Sequence, residues 1–269
     1  MKKQTKKEIY ASYGIQYENG YIYSELLGMW IKPLLIDGND KLGKTVWTWS
    51  MLPTNQIFTI NIGTESMPII ITIKGTCPCH CQGCYATKGN FARYESTRIS
   101  LARKTYLAYY DLDFVKRAII AQIKADNIKY LRIHASGDFF SIEYIGMWID
   151  IAIACNTTIM WTYTKYAEAE NAFDNVDNVN VVKSVIAGHG LNFGHCDYIV
   201  DVYNDLKAQG KSVYICRCGI DKEQRCNNCK GCSVNEYVLF IEHSTGYKAE
   251  KDLFYSTVKA IIESQKKPE

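Results

Sequence analysis

The sequence has no apolar run that approaches the roughly 18 residues needed to cross a bilayer as a helix. Its basic N-terminus is not followed by an apolar segment and a cleavage site, which argues against a secretory signal. The formal net charge of the 269-residue chain is only +3, so composition gives no support for a membrane or nucleic-acid partner. We therefore expect a cytoplasmic protein without a membrane partner. A nucleic-acid or protein partner stays open, and the substrate is unknown.

Cysteine is abundant, with 11 residues in the chain. Nine of them fall into two clusters, Cys77, Cys79, Cys81 and Cys84, then Cys216, Cys218, Cys226, Cys229 and Cys232. Thiols stay reduced in the cytosol, so a disulfide framework is not expected there. Closely spaced cysteines in a reducing compartment indicate metal sites instead. The sequence therefore predicts one metal site for each cluster.

From residue 56 onward, strand patterns alternate with helical patterns over about six units. Such alternation predicts a parallel sheet covered by helices, and six units are too few to close an eight-stranded barrel. We predict an α/β fold with a partial (βα)6 barrel-like parallel sheet over residues 56–269, including a Cys-rich loop at residues 216–235. Residues 1–55 are predicted to be an irregular extension packed on this core. Functional residues of such a sheet lie at the C-terminal ends of its strands.

The first cysteine cluster directly follows a predicted strand. Cys77, Cys81 and Cys84 have the spacing C-x3-C-x2-C. Thiolates are the ligands of iron–sulfur clusters, and three protein ligands leave one iron open for chemistry. We therefore expect a 4Fe–4S cluster here. The alternative is a zinc knuckle that uses Cys79 or His80 as its fourth ligand.

The next predicted core strand ends at Ser136-Gly137-Asp138. Glycine lets the backbone approach a ligand, and the Asp138 carboxylate can accept hydrogen bonds from an ammonium group. This motif is therefore a candidate cofactor-binding site. The alternative is a strand-to-helix turn in which Asp138 and Ser141 cap the following helix. His134, on the preceding strand, is expected to be a core histidine.

The second cluster contains Cys226, Cys229 and Cys232 at the spacing C-x2-C-x2-C. Cys216 and Cys218 lie upstream at the end of a predicted strand, and one of them would supply a fourth thiolate. We take Cys218 as the ligand and Cys216 as its alternate. Four thiolates suit either a structural zinc or a second iron–sulfur cluster. We favour the iron–sulfur cluster.

In this order the motifs resemble those of the radical S-adenosylmethionine enzymes, and more closely the gene product 88 family of bacteriophage proteins, which is similar to those enzymes. The resemblance covers roughly residues 50–245 and rests on Leu52-Pro53, Thr76-Cys77-Pro78, Cys81, Cys84-Tyr85-Ala86, the segment from Arg132 to Phe139, and the Cys226, Cys229 and Cys232 triplet. It implies a partial-barrel fold and iron–sulfur clusters, but no defined reaction. One departure is Ser-Gly-Asp in place of the enzymes' Gly-Gly-Glu motif.

Two hypotheses of function follow. In the first, the chain is an enzyme whose reduced cluster at Cys77, Cys81 and Cys84 cleaves S-adenosylmethionine to start radical chemistry. The resemblance implies that Asp138 holds this cofactor, while the second site positions substrate or relays an electron. In the second hypothesis, the chain is a non-catalytic iron–sulfur module that docks onto a host protein or nucleic acid. The intact three-cysteine spacing favours the enzyme, and the altered Gly-Gly-Glu position favours the module.

Overall fold

The computed structural model describes residues 4–38, 42–78, 84–87, 93–183, 196–216, 226, 229, 231–239 and 260–265. Its helices are α1 (Lys6–Ser12), α2 (Glu95–Tyr110), α3 (Leu112–Asp126), α4 (Ile142–Ala154), α5 (Cys196–Ala208) and the short α6 (Gly231–Val234), with 3-10 turns at Tyr85–Thr87 and Ala167–Ala169. Its strands are β1 (Tyr17–Glu18), β2 (Tyr21–Ser24), β3 (Met29–Ile31), β4 (Ile36–Asp37), β5 (Val46–Thr48), β6 (Ile57–Asn61), β7 (Ile70–Lys74), β8 (Tyr130–Arg132), β9 (Ile159–Thr164), β10 (Val179–Lys183), β11 (Val213–Ile215) and β12 (Tyr237–Leu239). Within these ranges, no helix is both long and apolar enough to cross a membrane.

The largest sheet has five strands in the order β10-β9-β8-β5-β4. Strands β5, β8, β9 and β10 run parallel, and β4 pairs antiparallel with β5 at one edge. In the register of this sheet, Val46 pairs with Tyr130, which in turn pairs with Ile159. The loops that follow the parallel strands therefore leave from the same edge of the sheet.

The remaining described strands form three smaller sheets. Strands β1, β2 and β3 are antiparallel neighbours, β6 and β7 form an antiparallel hairpin, and β11 pairs with β12 in parallel. Exposed residues alternate with buried or half-buried ones along β6 and β7. The hairpin therefore covers the core with one face and leaves the other face to solvent.

The predicted single barrel-like parallel sheet is wrong. Among the described residues the strands divide into four sheets, and the largest contains only four parallel strands. Periodicity identifies a strand but does not specify its partner, because pairing depends on contacts between segments far apart in the chain. The half-exposed strands β6 and β7 pair with each other, and β11 and β12 pair separately, so neither pair extends the central sheet.

The N-terminal extension was also wrongly predicted to be irregular. It contains α1 and the strands β1 to β5. Strand β5 lies inside the five-stranded sheet, between β4 and β8. Its three residues are too few to show a clear alternation in the sequence, so pairing with β8 rather than local pattern makes this segment a strand.

Helix boundaries follow local capping chemistry. The helical segment breaks at Asp111, whose carboxylate accepts a hydrogen bond of 3.1 Å from Phe114 N at the start of α3. Helix α3 ends at Asn127, which has a φ of 51°. Ser141 Oγ accepts a hydrogen bond of 3.2 Å from Tyr144 N and caps α4. The sequence predicts a helical segment at residues 101–125 that breaks near Asp111, and the structure confirms both this break and the expected cap at Ser141.

Parallel backbone pairing continues beyond the ends of β5 and β8. Trp49 N donates to Arg132 O at 3.1 Å, and Met51 N donates to Ser136 O at 2.9 Å. Ser136 Oγ donates in return to Met51 O at 2.6 Å. This pairing places residues 136–138 beside residues 49–51, at the edge of the sheet where its parallel strands end.

Candidate functional site

The Ser-Gly-Asp loop, residues 136–138, can be built only with glycine at its centre. Gly137 has a φ of 82°, a conformation that side chains disfavour. A Cβ atom at this position would lie 2.6 Å from Thr76 Oγ1 and 3.0 Å from Met51 Cβ. The loop is therefore in close contact with the segment that leads into the first cysteine cluster.

Thr76, the residue before Cys77, joins this segment to the loop. Thr76 N donates to Leu52 O at 3.1 Å, and Cys77 N donates to Thr54 O at 3.0 Å. Thr76 Oγ1 then accepts a hydrogen bond of 3.1 Å from Asp138 N. The start of the first cysteine cluster is therefore fixed beside the Ser-Gly-Asp loop.

The Asp138 carboxylate is buried, with 5% of the residue exposed. Its oxygens accept hydrogen bonds from Phe139 N at 2.8 Å, Thr164 Oγ1 at 2.7 Å and Lys165 N at 2.8 Å. Burial raises the pKa of Asp138 to about 6, although these three donors oppose the shift. The carboxylate thus ties the end of β9 to the loop, and a cofactor ammonium would have to share its oxygens with these donors.

His134 is a buried structural residue, as expected. Its Nε2 lies 2.9 Å from the Tyr144 hydroxyl, and its Nδ1 lies 3.3 Å from Thr162 Oγ1. Trp49 Nε1 also donates to the Tyr144 hydroxyl, at 2.8 Å. Burial, with a smaller contribution from Arg132, lowers the pKa of His134 to about 3, so the ring is neutral near pH 7.

Two members of the first cysteine cluster, Cys77 and Cys84, belong to the described residues, and both are half-buried. Cys81 and the alternates Cys79 and His80 lie outside the described residues. The predicted C-x3-C-x2-C ligand set therefore stays a prediction. Tyr109 of α2 lies near Cys77. Burial raises the pKa of Tyr109, and the neighbouring Tyr110 and Cys77 raise it further.

The described cysteines of the second cluster pack against residues of the five-stranded sheet and of the β11–β12 sheet. We call them the thiol cluster: Cys216, Cys226, Cys229 and Cys232. Cys216, Cys229 and Cys232 pack with Val182, Tyr163 and Tyr214. Cys226 and Cys232 pack with Trp161 and Tyr163. Residues separated by up to 16 positions in the sequence are thus brought against the same aromatic side chains.

Polar groups also reach the thiol cluster, and these partners were not predicted from the sequence. The Tyr214 hydroxyl lies 3.2 Å from Cys229 Sγ. Asn180 Nδ2 donates to Cys232 O at 2.8 Å and to Asn235 O at 2.9 Å. The sequence showed only that Tyr214 and Asn180 lie on predicted strands. It did not show which strands pair, so their contacts with the cysteines could not be predicted.

Tyr163 contacts both the thiol cluster and Arg132. Burial, followed by Cys232, raises the pKa of Tyr163 well above its ordinary value. The Arg132 guanidinium carbon lies 4.9 Å from the centroid of the Tyr163 ring. The Tyr163 side chain therefore contacts both a guanidinium and the thiol cluster.

The donor chemistry of the thiol cluster suits a metal, but its arrangement is not that of a formed metal site. Within the described ranges, no three His, Cys, Asp or Glu side chains form a group that could hold a metal ion. This is a further departure from the expected radical S-adenosylmethionine fold. Cys218 lies outside those ranges, so the choice between Cys216 and Cys218 stays a prediction.

Comparison with known proteins gives one relationship. A family model described as gene product 88, a phage gene product family, matches residues 33–252. No curated protein and no solved structure matches the chain. The matched segment includes the Ser-Gly-Asp loop and every cysteine of both clusters.

Proposed function

Since the chain belongs to the gene product 88 family, we propose that it is a phage iron–sulfur protein with two cysteine-ligated sites. The proposed ligands are Cys77, Cys81 and Cys84 for a 4Fe–4S cluster, and Cys226, Cys229 and Cys232 with Cys218, or its alternate Cys216, for a second metal. The family description defines no reaction, so the proposal depends on the cysteines and their surroundings.

The observation that carries the proposal is the packing of the thiol cluster around Tyr163 and Tyr214. Thiolates are soft ligands that bind iron–sulfur clusters and zinc in preference to hard cations. Because the described thiols do not yet form a ligand group, metal binding must draw them closer together. We therefore expect metal binding to stabilise β11, α6 and β12 against unfolding, since metal–thiolate bonds supply folding free energy.

Removal of single thiols tests the proposal. After anaerobic reconstitution with iron and sulfide, Cys229→Ala should retain about half of the wild-type iron, and so should Cys77→Ala. Cys155→Ala is the matched control, because Cys155 is a buried cysteine at the end of α4, outside both clusters. It should retain the full iron content. Equal iron content in all three variants would refute ligation by these clusters.

A second candidate function, reductive cleavage of S-adenosylmethionine, is favoured by one specific contact. The hydrogen bond from Asp138 N to Thr76 Oγ1 joins the Ser-Gly-Asp loop to the residue before Cys77. A cofactor on an open iron at the first site would lie close to this loop. A charge-assisted hydrogen bond from its ammonium group to Asp138 would contribute about 1.5–3 kcal/mol.

Cofactor binding separates this enzyme from the non-catalytic module. For the enzyme, calorimetry on the reconstituted protein should detect S-adenosylmethionine, and Asp138→Asn should weaken binding by roughly ten- to hundredfold while the iron content is unchanged. Wild-type protein with intact clusters that binds no cofactor would favour the module, which docks onto a host protein or nucleic acid. The three hydrogen bonds already made by the Asp138 carboxylate are the observation that supports this module.

A further inference from the structure

Lys104 is a buried lysine in the middle of α2, with only 4% of the residue exposed. It shares the buried face of the helix with Leu101, Ala102, Thr105, Leu107 and Ala108. Its Nζ atom is inaccessible to solvent and has no hydrogen-bond partner among the residues that the structure describes. Lysine is almost never fully buried unless it is paired, so the position requires an explanation.

The contact recorded for the Lys104 amine is with an aromatic face. Nζ lies 5.7 Å from the centroid of the Trp49 ring. The Trp49 indole is itself fixed, because its Nε1 donates to the Tyr144 hydroxyl at 2.8 Å and its ring makes an edge contact with Trp148. A cation–π contact satisfies none of the three N–H donors of an ammonium group. The amine therefore keeps unused hydrogen-bonding capacity in the interior.

The turn of α2 that carries Lys104 is attached to the segment leading to Cys77. Thr105, the next residue, accepts a hydrogen bond of 2.9 Å from Leu52 N through its Oγ1. Leu52 O in turn accepts a hydrogen bond of 3.1 Å from Thr76 N. A ligand held at Lys104 would thus contact elements that also support the Ser-Gly-Asp loop.

We propose that Lys104 binds the carboxylate group of a small-molecule ligand between α2 and residues 49–52. A buried ammonium is stable when an anion supplies both a counter-charge and hydrogen-bond acceptors. Burial alone lowers the pKa of Lys104 to about 7, with no charged side chain contributing. A bound carboxylate would raise this pKa and keep the amine protonated, and the single positive charge then matches one carboxylate better than the double charge of a phosphate. This site needs no metal and is independent of the proposed iron–sulfur function.

Thermal unfolding of the metal-free protein with propionate or propionamide tests the proposal. The two probes have nearly the same shape, but only propionate carries a negative charge. Propionate should raise the wild-type melting temperature, and propionamide should not. Lys104→Met should weaken propionate binding by roughly ten- to hundredfold, as expected for the loss of a charge-assisted hydrogen bond. Lys129→Met, which removes an exposed lysine, is the control and should respond as the wild type does.

The same experiment distinguishes ligand binding from a structural role. Lys104→Met should also melt at a higher temperature than the wild type in the absence of probe, because it replaces an unpaired buried amine by an apolar side chain of similar length. Equal responses of the wild type to both probes, or an undiminished response of Lys104→Met to propionate, would overturn the proposal. If Lys104→Met does not fold, the buried lysine's ¹⁵Nζ resonance in the wild type is followed instead. It should shift with propionate and not with propionamide, and no shift overturns the proposal.

Discussion

Around the Ser-Gly-Asp loop, hydrogen bonds join segments far apart in the sequence, whereas the thiol cluster is held mainly by packing against aromatic rings. In the first region, Thr76, Asp138 and Thr164 connect the C-terminal ends of three different strands. In the second, Cys216, Cys229 and Cys232 share Tyr163 and Tyr214 as neighbours, and the described thiols do not form a ligand group. The first region is therefore organised before any ligand binds, while the second has its thiolates close together but needs a metal to fix their geometry.

The largest effect is expected in the preorganised region, from Gly137→Ala. The added methyl group would meet Thr76 Oγ1 at 2.6 Å in a backbone conformation with a φ of 82°. Conformational strain and overpacking together should lower the free energy of unfolding by about 2–5 kcal/mol, measured by urea denaturation.

Gly146→Ala is the matched control for this prediction. Gly146 lies inside α4, and a Cβ atom there would meet nothing within 4 Å. Alanine should therefore stabilise the helix by roughly 0.5–1 kcal/mol. If Gly137→Ala were as stable as Gly146→Ala, the close contact between the loop and Thr76 would be wrong.

The stability that Asp138 gives to the same region should depend on pH. The pKa of Asp138 is raised to about 6 in the folded protein, above its ordinary value of 3.8. Between these two values the folded state binds the proton more tightly than the unfolded state, so this group's contribution to stability falls as the pH rises from about 4 to about 6. The loss should be about 3 kcal/mol and should level off at higher pH.

Asp138→Asn checks this assignment, because asparagine keeps the shape of the side chain and cannot titrate. Urea denaturation across pH 4 to 7 should give a flatter profile for this variant than for the wild type. An unchanged profile would show that Asp138 is not the source of the slope, and that its carboxylate is more exposed to water than its 5% exposure indicates.

Two asparagines that are close in the sequence, Asn178 and Asn180, allow a direct comparison of the main core with the thiol cluster. The expected effect on stability is smaller. Asn180 Nδ2 donates to Cys232 O and Asn235 O, beside the thiol cluster. Asn178 Nδ2 donates to three carbonyls in the main core, those of Ala152, Cys155 and Thr158. Replacing either residue by alanine should cost about 1–3 kcal/mol of stability.

The two asparagine variants should differ in metal binding. Asn180→Ala should weaken iron or zinc binding at the second site, because the carbonyl of Cys232 loses the donor that positions it. Asn178→Ala should bind metal as the wild type does. Equal metal affinity in both variants, measured by competition with a chelator, would mean that the surroundings of the thiol cluster do not position its thiols.

Local chemistry could be deduced from the sequence, and long-range pairing could not. The helix break at Asp111 and the cap at Ser141 depend on side chains within three residues of the backbone groups they bond, so both could be predicted. The three-residue strand β5 could not be, because it depends on pairing with residues 130–132. The same limit explains the wrong barrel prediction, since periodicity does not reveal which strands are neighbours.

The candidate site shows the same division between local and long-range information. The position of Ser136-Gly137-Asp138 at the end of a strand could be predicted, but its contact with Thr76 could not. The donors to the Asp138 carboxylate from Thr164 and Lys165 were not predicted, because they depend on how β9 lies beside β8. The burial of Lys104 was not predicted, because the sequence does not show which face of α2 packs against the core.

Metal analysis of the wild-type protein tests the central claim most directly. The protein would be purified without oxygen, reconstituted with iron and sulfide in the presence of competing zinc, and assayed for bound iron, sulfide and zinc together with its visible absorption. The account predicts brown protein with sulfur-to-iron charge-transfer absorption and more than about four iron atoms per chain, because two cysteine clusters are filled. Colourless protein that contains only stoichiometric zinc would contradict iron–sulfur ligation at both clusters.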